Sequence, residues 1–373
     1  MAKRVILAVA GAGKTYHICH EIDPTKRNLI LAFTHENIYN IQKELCDAHE
    51  CVPELTTVST FDSFVYHQLV LPYEPSIAEH FGCPKFVSRG ICTVEPPPQI
   101  IKNSKGNPVP NPLYKKKDRL AHYVTTRGQY YCATLSELVL QVKKNRESLI
   151  KRVAARLNMF YDCVLIDEFQ DFREYDYELI MALAKQLEDV VLVGDYYQHS
   201  VSGTHNSGKP FKDTKGEVSY DDFVASIIKK GFIVDASTLA KSRRCSMDVC
   251  NYVSQKLGIG ITSNGDHTGS VIWVDDAVSV LNNNQITKLV FQEAANYSFR
   301  ALNWSYSKGD TFDSACVILT DNLDNLDSDK FKPDRLGPST RNKLYVAMTR
   351  SRGDLYLMKA STFKAIKDVY RIH

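Results

Sequence analysis

The run from Val5 to Thr15 constrains this chain more than any other stretch. Val5, Ile6, Leu7 and Val9 make an apolar, strand-like segment, and a turn of small residues follows before Tyr16, His17 and Ile18 can begin a helix. Gly11 and Gly13 let the main chain fold into a concave nest of N–H groups at that helix N-terminus, where the helix dipole also favours negative charge. Such a turn is a phosphate cradle. Lys14 reaches the β- and γ-phosphates as a point charge, and the Thr15 hydroxyl is a ligand for Mg²⁺. Ala8 stands where the eight-residue pattern usually has its first Gly.

Two further buried strands follow. Asn28 to Phe33 (NLILAF) leads to Thr34, an N-cap for a helix from His35 to Leu45, and Leu55 to Ser59 (LTTVS) runs into Thr60-Phe61-Asp62-Ser63-Phe64. Alternating strands and helices predict a parallel α/β sheet, with ligands gathered at the carboxyl edges of the strands. For Phe33 and Phe61, core packing and a ligand contact are both open.

From Pro72 to about Leu157 the pattern breaks. Pro96, Pro97, Pro98, Pro108, Pro110 and Pro112 argue against regular structure, Tyr114 to Arg119 (YKKKDR) is basic and aromatic, and Leu135 to Leu157 reads as one helix. That helix carries Lys143, Lys144, Arg146, Lys151, Arg152 and Arg156. The segment is expected to be an insertion whose charges either neutralise phosphates or form a solvated face.

Next come two strands ending in chemistry. Cys163 to Ile166 precedes Asp167-Glu168-Phe169-Gln170-Asp171, and Val190 to Val193 precedes Gly194-Asp195-Tyr196-Tyr197-Gln198. Adjacent acids beside a phosphate cradle divide the labour of NTP hydrolysis: Asp167 holds Mg²⁺, and Glu168 orients and deprotonates the attacking water. Gln198 senses the γ-phosphate without adding charge. The ten cysteines contain no CxxC pair, so they read as reduced and mostly buried. A net charge of +3 does not mark a nucleic-acid binder by itself. With 373 residues, 44% of them apolar, two or three domains are expected, and no run of about 18 apolar residues or signal peptide is present, so a soluble, intracellular (cytoplasmic) protein without membrane contact is expected.

These motifs resemble, in order, those of superfamily 1 helicases of the UvrD/Rep (PcrA-like) type. AVAGAGKT (8–15), ILAFTHENI (30–38), VSTFDSF (58–64), VLIDEFQD (164–171), VLVGDYYQ (191–198), STLAKSRRC (237–245), WSYSKGDTFDSACVIL (304–319) and NKLYVAMTRSR (342–352) span almost the whole chain. The resemblance implies two tandem RecA-like parallel-sheet domains of the P-loop NTPase class, 1–230 with the insertion at about 72–157, and 231–373, the second opening on a strand from Phe232 to Asp235. It implies ATP and Mg²⁺ as cofactors, with the nucleotide on Ala10, Gly11, Ala12, Gly13, Lys14, Thr15, Tyr16 and Arg243. The catalytic set is Lys14, Asp167, Glu168, Gln198, Arg244 and Arg350, the last two reaching the γ-phosphate, and the metal set is Thr15 and Asp167. Nucleic acid falls on Phe33, Thr34, His35, Thr60, Phe61, Ser63 and Lys308.

The implied activity is ATP-driven movement along single-stranded DNA, 3′ to 5′, with unwinding of duplex DNA by a monomer that serves replication or repair proteins. A translocase that unwinds poorly and a nucleotide-gated binding module are the alternatives. Departures are visible: no Gln upstream of the first strand, Arg243 in place of a base-stacking Tyr, and Asp310-Thr311 in place of Leu-Glu. The stretch His199-Ser200-Val201-Ser202-Gly203 lacks the family's Tyr and Trp, leaving Tyr196, Tyr197 or His199 to compensate. The spacing from Arg244 to Lys308 excludes the family's large second-domain insertion, making this a minimal form. Leu344, Ala347 and Met348 put an apolar face on a helix, from whose end Arg350 is expected to emerge away from the core.

Overall fold

The computed structural model describes residues 3–83, 85–144, 147–199, 208–214 and 216–372. Arg146 and the stretch Ser200 to Gly203 lie outside the described residues. Two compact units are defined by their internal contacts: Met1–Val5, Thr15–Gly194 and Val201–Val234 form one, and Ile6–Lys14, Asp195–Ser200 and Asp235–His373 the other.

A six-stranded sheet is built from β1 (Lys3–Leu7), β2 (Asn28–Ala32), β3 (Thr56–Thr60), β4 (Cys163–Ile166), β5 (Val190–Gly194) and β6 (Ile233–Asp235), in the order β6-β1-β5-β4-β2-β3. The β4/β5, β4/β2 and β2/β3 pairs are parallel. Every residue of β2, β4 and β5 is buried, as expected of strands covered on both faces and written as unbroken apolar runs. The strand Ile233–Asp235 joins this sheet beside β1 and does not open the second one. Helix α1 (Lys14–Glu21) follows the glycine turn, and α2 (His35–His49) starts where Thr34 accepts the Asn37 N–H at 3.1 Å. It runs four residues past Leu45 and stops at Glu50, which takes a left-handed conformation (φ 66°).

The second sheet orders β7 (Val271–Trp273), β8 (Ile286–Val290), β9 (Ala301–Asn303), β10 (Ser314–Ile318) and β11 (Leu355–Met358) as β7-β11-β10-β8-β9, parallel throughout. Its core joins Val249, Val253, Leu257, Trp304, Val317, Leu344, Tyr345, Met348 and Leu357. These residues come from the strands, from Met247–Leu257 and from Pro338–Met348.

The insertion differs from expectation in two ways. Residues 135–157 are not one helix: Leu135–Gln141 and Leu149–Phe160 are separated by a short antiparallel pair, Lys143–Lys144 with Glu147–Ser148. Six polar residues from Lys143 to Ser148 supply no apolar face to continue the first helix, and the Ser148 hydroxyl caps the second by accepting the Ile150 N–H at 3.3 Å. Nor do the prolines exclude strands, since Ile100–Lys102 pairs antiparallel with Pro108–Pro110. Asn103 and Asn111 donate to Asn107 and Gln99 across the ribbon, so odd-numbered positions face the partner. Pro108 and Pro110 therefore turn their missing N–H groups outward, where an edge strand tolerates them.

Six of the ten cysteines are buried and all ten are free thiols. No helix among the described residues is long and apolar enough to cross a membrane.

Candidate nucleotide and strand site

The turn after β1 adopts the left-handed geometry that its glycines permit, with Gly11 at φ 71° and Gly13 at φ 84°. Close packing adds a second demand at Gly11, where a Cβ would lie 2.6 Å from the Arg244 Cβ and 2.9 Å from the Ser242 Oγ. The Gly11 carbonyl accepts the Arg243 N–H at 2.9 Å. STLAKSRRC thus lies directly on the cradle, although Arg243 itself is exposed. Ala10 is buried and its N–H already donates to the Tyr345 hydroxyl at 2.8 Å. Tyr16 is part exposed, stacked on His20 with centroids 3.8 Å apart.

At the end of β4, the Thr15 hydroxyl donates to Asp167 Oδ2 at 2.9 Å, and Asp167 Oδ1 accepts the Glu168 N–H at 2.9 Å. Asp167 is buried. A hydroxyl and a carboxylate form a hard, all-oxygen donor pair, which suits Mg²⁺ completed by phosphate oxygens and water. The described residues contain no cluster of three His, Cys, Asp or Glu side chains able to hold a metal without such a substrate. Glu168 takes a left-handed backbone (φ 55°), rare for a residue with a Cβ, and its carboxylate is held by the Gln170 amide. That conformation turns the acid out of the strand direction while its neighbour stays packed.

Asp195, at the end of β5, is the hub of a second network. Its Oδ2 accepts from Gln198 Nε2 at 2.8 Å and from the Tyr345 hydroxyl at 3.1 Å, and its Oδ1 accepts the Tyr197 N–H at 3.0 Å. Burial pushes its carboxyl up to about 6 against the pull of Lys14 and of these hydrogen bonds. Gln198 is consequently held by Asp195, and Tyr345 ties Asp195 to the Ala10 amide of the cradle.

Arg350 is placed differently from expectation, being 1% exposed. Its Nε donates to the Val346 carbonyl at 2.8 Å, its Nη2 to the Thr349 hydroxyl at 3.3 Å, and its Nη1 to the carbonyls of Ser307 (3.5 Å) and Asp310 (3.4 Å). The helix ends at Met348, and while the Tyr345 and Ala347 carbonyls accept the Thr349 and Arg350 N–H groups, the guanidinium folds back to serve the Val346 carbonyl. Arg244 Nη1 donates to the Thr349 carbonyl at 3.2 Å, which brings both arginines to one helix end.

The residues expected to touch nucleic acid divide into two groups. Thr34 and His35 are exposed, while Thr60, Ser63 and Lys308 are part exposed, Lys308 Nζ reaching the Gln198 carbonyl at 3.4 Å. Phe61 is 1% exposed, packed between Phe33, Phe64 and Phe172, so core packing describes it. Phe33 keeps partial exposure. Tyr196 and His199 are buried and offer no stacking face. In the insertion, Arg152 lies over the Tyr73 ring, Arg156 donates to Gln68 at 2.9 Å, and Lys117 pairs with Glu137, so these charges are largely spent on packing. Lys115 and Lys116 remain exposed.

Three contributors were not foreseen. Gln170 orients Glu168, Tyr345 holds Asp195, and Arg173 bridges Asp62 (3.0 Å) and Asp176 (2.7 Å), joining TFDSF to the helix Glu174–Ala184 behind DEFQD. All three lie inside or beside recognised motifs, but their partners are set by the fold.

A parallel sheet whose first strand ends in a glycine nest, with a Thr–Asp pair at the next strand end but one, defines a P-loop NTPase. The AAA domain family matches residues 2–204, and the viral superfamily 1 RNA helicase core domain family matches residues 118–359. The chain belongs to the superfamily 1 helicases, a family of NTP-hydrolysing enzymes. No curated protein matches it. Similar solved structures are two of the Arterivirus nonstructural protein 10 helicase, one in complex with DNA, and one of the PRRSV helicase, each 14% identical to this chain. They cover 95%, 95% and 96% of this chain with TM-scores of 0.46, 0.45 and 0.44. The chain spans 60%, 59% and 52% of their respective lengths.

Proposed function

We propose that this protein hydrolyses ATP to move 3′ to 5′ along single-stranded DNA and to unwind duplex DNA, as a helicase of the UvrD/Rep branch. The observation that carries the reading is the Thr15 to Asp167 hydrogen bond of 2.9 Å beside the Gly11–Gly13 nest. In this reading the first RecA-like domain covers about 1–230, with its sheet completed by the strand at 233–235, and the second covers the remainder. Lys14 and the turn amides bind the phosphates, and Thr15 and Asp167 hold Mg²⁺. Bound there, the ion would neutralise charge on the β- and γ-phosphate oxygens. Glu168, held by Gln170, takes the proton of the attacking water, and Gln198 orients on the γ-phosphate. Arg244 and Arg350 counter the charge that develops on the transferred group. Thr34, His35, Thr60, Ser63 and Lys308 are the strand contacts. The DEFQD and YVAMTR motifs support the UvrD/Rep branch.

RNA is the second reading, favoured by the match to a viral RNA helicase core over residues 118–359. ATP turnover with single-stranded DNA, single-stranded RNA and duplex as activators separates the two. Strong stimulation by DNA alone is expected; stimulation by RNA alone replaces the substrate, and turnover indifferent to every strand overturns the translocase reading.

A further inference from the structure

A sequence-tolerant strand site needs an aromatic face on which a base can stack. Of the residues expected to provide one, Phe61, Tyr196 and His199 are buried, and Phe33 keeps only partial exposure with its ring against Phe61 and Phe172. Tyr197 meets Tyr196 and Tyr345 edge-on, and its ring is covered by the Arg341 guanidinium at 5.6 Å. Tyr306 is 76% exposed, more than any other aromatic among the described residues. Of the other exposed rings, Tyr39, 66% exposed, lies within α2, Tyr16 already stacks on His20, and Phe160 lies under Arg156.

The segment carrying Tyr306 is anchored on both sides. Trp304–Ser307 forms a single 3₁₀ turn at the carboxyl end of β9. Trp304 is buried, donating from Nε1 to the Leu289 carbonyl at 3.0 Å and meeting Phe291 edge-on. Ser307 is also buried, its hydroxyl donating to the Trp304 carbonyl at 2.8 Å. The Asp310 N–H closes on the Ser307 carbonyl at 3.1 Å, and Arg350 holds the carbonyls of both Ser307 and Asp310. An exposed ring on an anchored turn loses little freedom on binding. Two residues further on, Lys308 offers a cation for the phosphate beside a stacked base.

We propose that Tyr306 is the base-stacking residue of the strand site, with Lys308 on the adjoining phosphate. The proposal rests on the strand-translocase reading above and gives it the aromatic platform that the segment after Gln198 lacks. It also seats that platform on the turn held by Arg350, which is assigned to the γ-phosphate.

The test measures binding of oligothymidine and of an abasic strand of equal length by fluorescence anisotropy, for the wild type, Tyr306→Ala and Tyr306→Phe, with ribose strands in parallel. The wild type should prefer the base-bearing strand. Tyr306→Ala should weaken that binding by about 5- to 150-fold while leaving abasic binding and the salt slope unchanged, and Tyr306→Phe should restore it. Tyr306→Ala binding oligothymidine as the wild type does overturns the stacking assignment and leaves the translocase reading standing. A wild type that binds no single strand overturns both.

Discussion

At the scale of single residues, the acids at the ends of β4 and β5 carry opposite assignments. Glu168→Gln keeps the shape and the Gln170 contact but cannot take a proton, so ATP and strand binding should persist while hydrolysis falls by about 10²- to 10⁴-fold. Single-turnover hydrolysis of radiolabelled ATP reads this directly, and wild-type turnover would remove Glu168 from its role. Asp195 is a matter of linkage. Its folded pKa, about 6, lies above its ordinary value of 3.8, so the folded state binds the proton more tightly than the unfolded chain does. Its contribution to stability is therefore fully present below pH 3.8 and is lost as pH rises through 6, about 3 kcal/mol in all. Asp195→Asn should flatten the pH dependence of the nucleotide-free denaturation midpoint between about pH 4 and 6. An unchanged slope in that window would mean that the carboxylate is not desolvated.

The left-handed turn at Gly11 and Gly13 was legible because a glycine's backbone freedom is written in the residue itself, and Asp167 and Glu168 were placed at a strand end by the apolar run just before them. Asp195 was passed over because its partner Tyr345 is 150 positions away in sequence. Gly11 was read correctly for its backbone, yet the demand for space imposed by Arg244 could not be foreseen.

At the scale of elements, unbroken apolar runs located β2, β4 and β5, and Thr34 marked the start of α2, whereas β3, expected as a buried strand from Leu55 to Ser59, runs Thr56–Thr60 with only Thr56 buried and Leu55 exposed. The reading failed where pattern was thin. One helix was expected over 135–157 because basic residues fit either a helix face or a hairpin, and the buried faces of Val142 and Leu149 distinguish them only after folding. Arg350 was expected to leave the helix outward, but carbonyls at a helix end are as strong an attraction for a guanidinium as solvent is. The Arg173 bridge belongs to this scale, since it fastens two elements that each carry a motif. Asp176 is nearly fully buried and also accepts from Ser136 Oγ at 2.6 Å. Arg173→Ala leaves this carboxylate and Asp62 without their cation, at a cost of about 3 kcal/mol in urea denaturation. Double replacement of Arg173 and Asp62 should recover part of that loss, and a strictly additive double mutant would show that the pair does not interact.

At the scale of the whole molecule, the net charge of +3 is too small to account for the proposed strand binding, which therefore falls to local cations. Each phosphate neutralised on a single strand should contribute about −0.7 to the slope of log K against log salt. Replacing Lys115, Lys116 and Lys117 together tests the insertion. Lys117 is already paired with Glu137, so a slope lowered by no more than about 1.4 is expected, from the other two. A larger drop would mean that Lys117 leaves Glu137 to bind the strand, and no drop would make the run solvated surface.

Arg350 cannot serve the Ser307 and Asp310 carbonyls and a phosphoryl group with the same N–H groups. Committing its Nη1 group to a phosphoryl oxygen, in the role proposed for it, would strip donors from the turn that carries Tyr306 and Lys308. If Arg350 takes the role proposed for it, a strand gripping Tyr306 and Lys308 and a nucleotide drawing on Arg350 would share one turn, so that binding of either would be felt at the other.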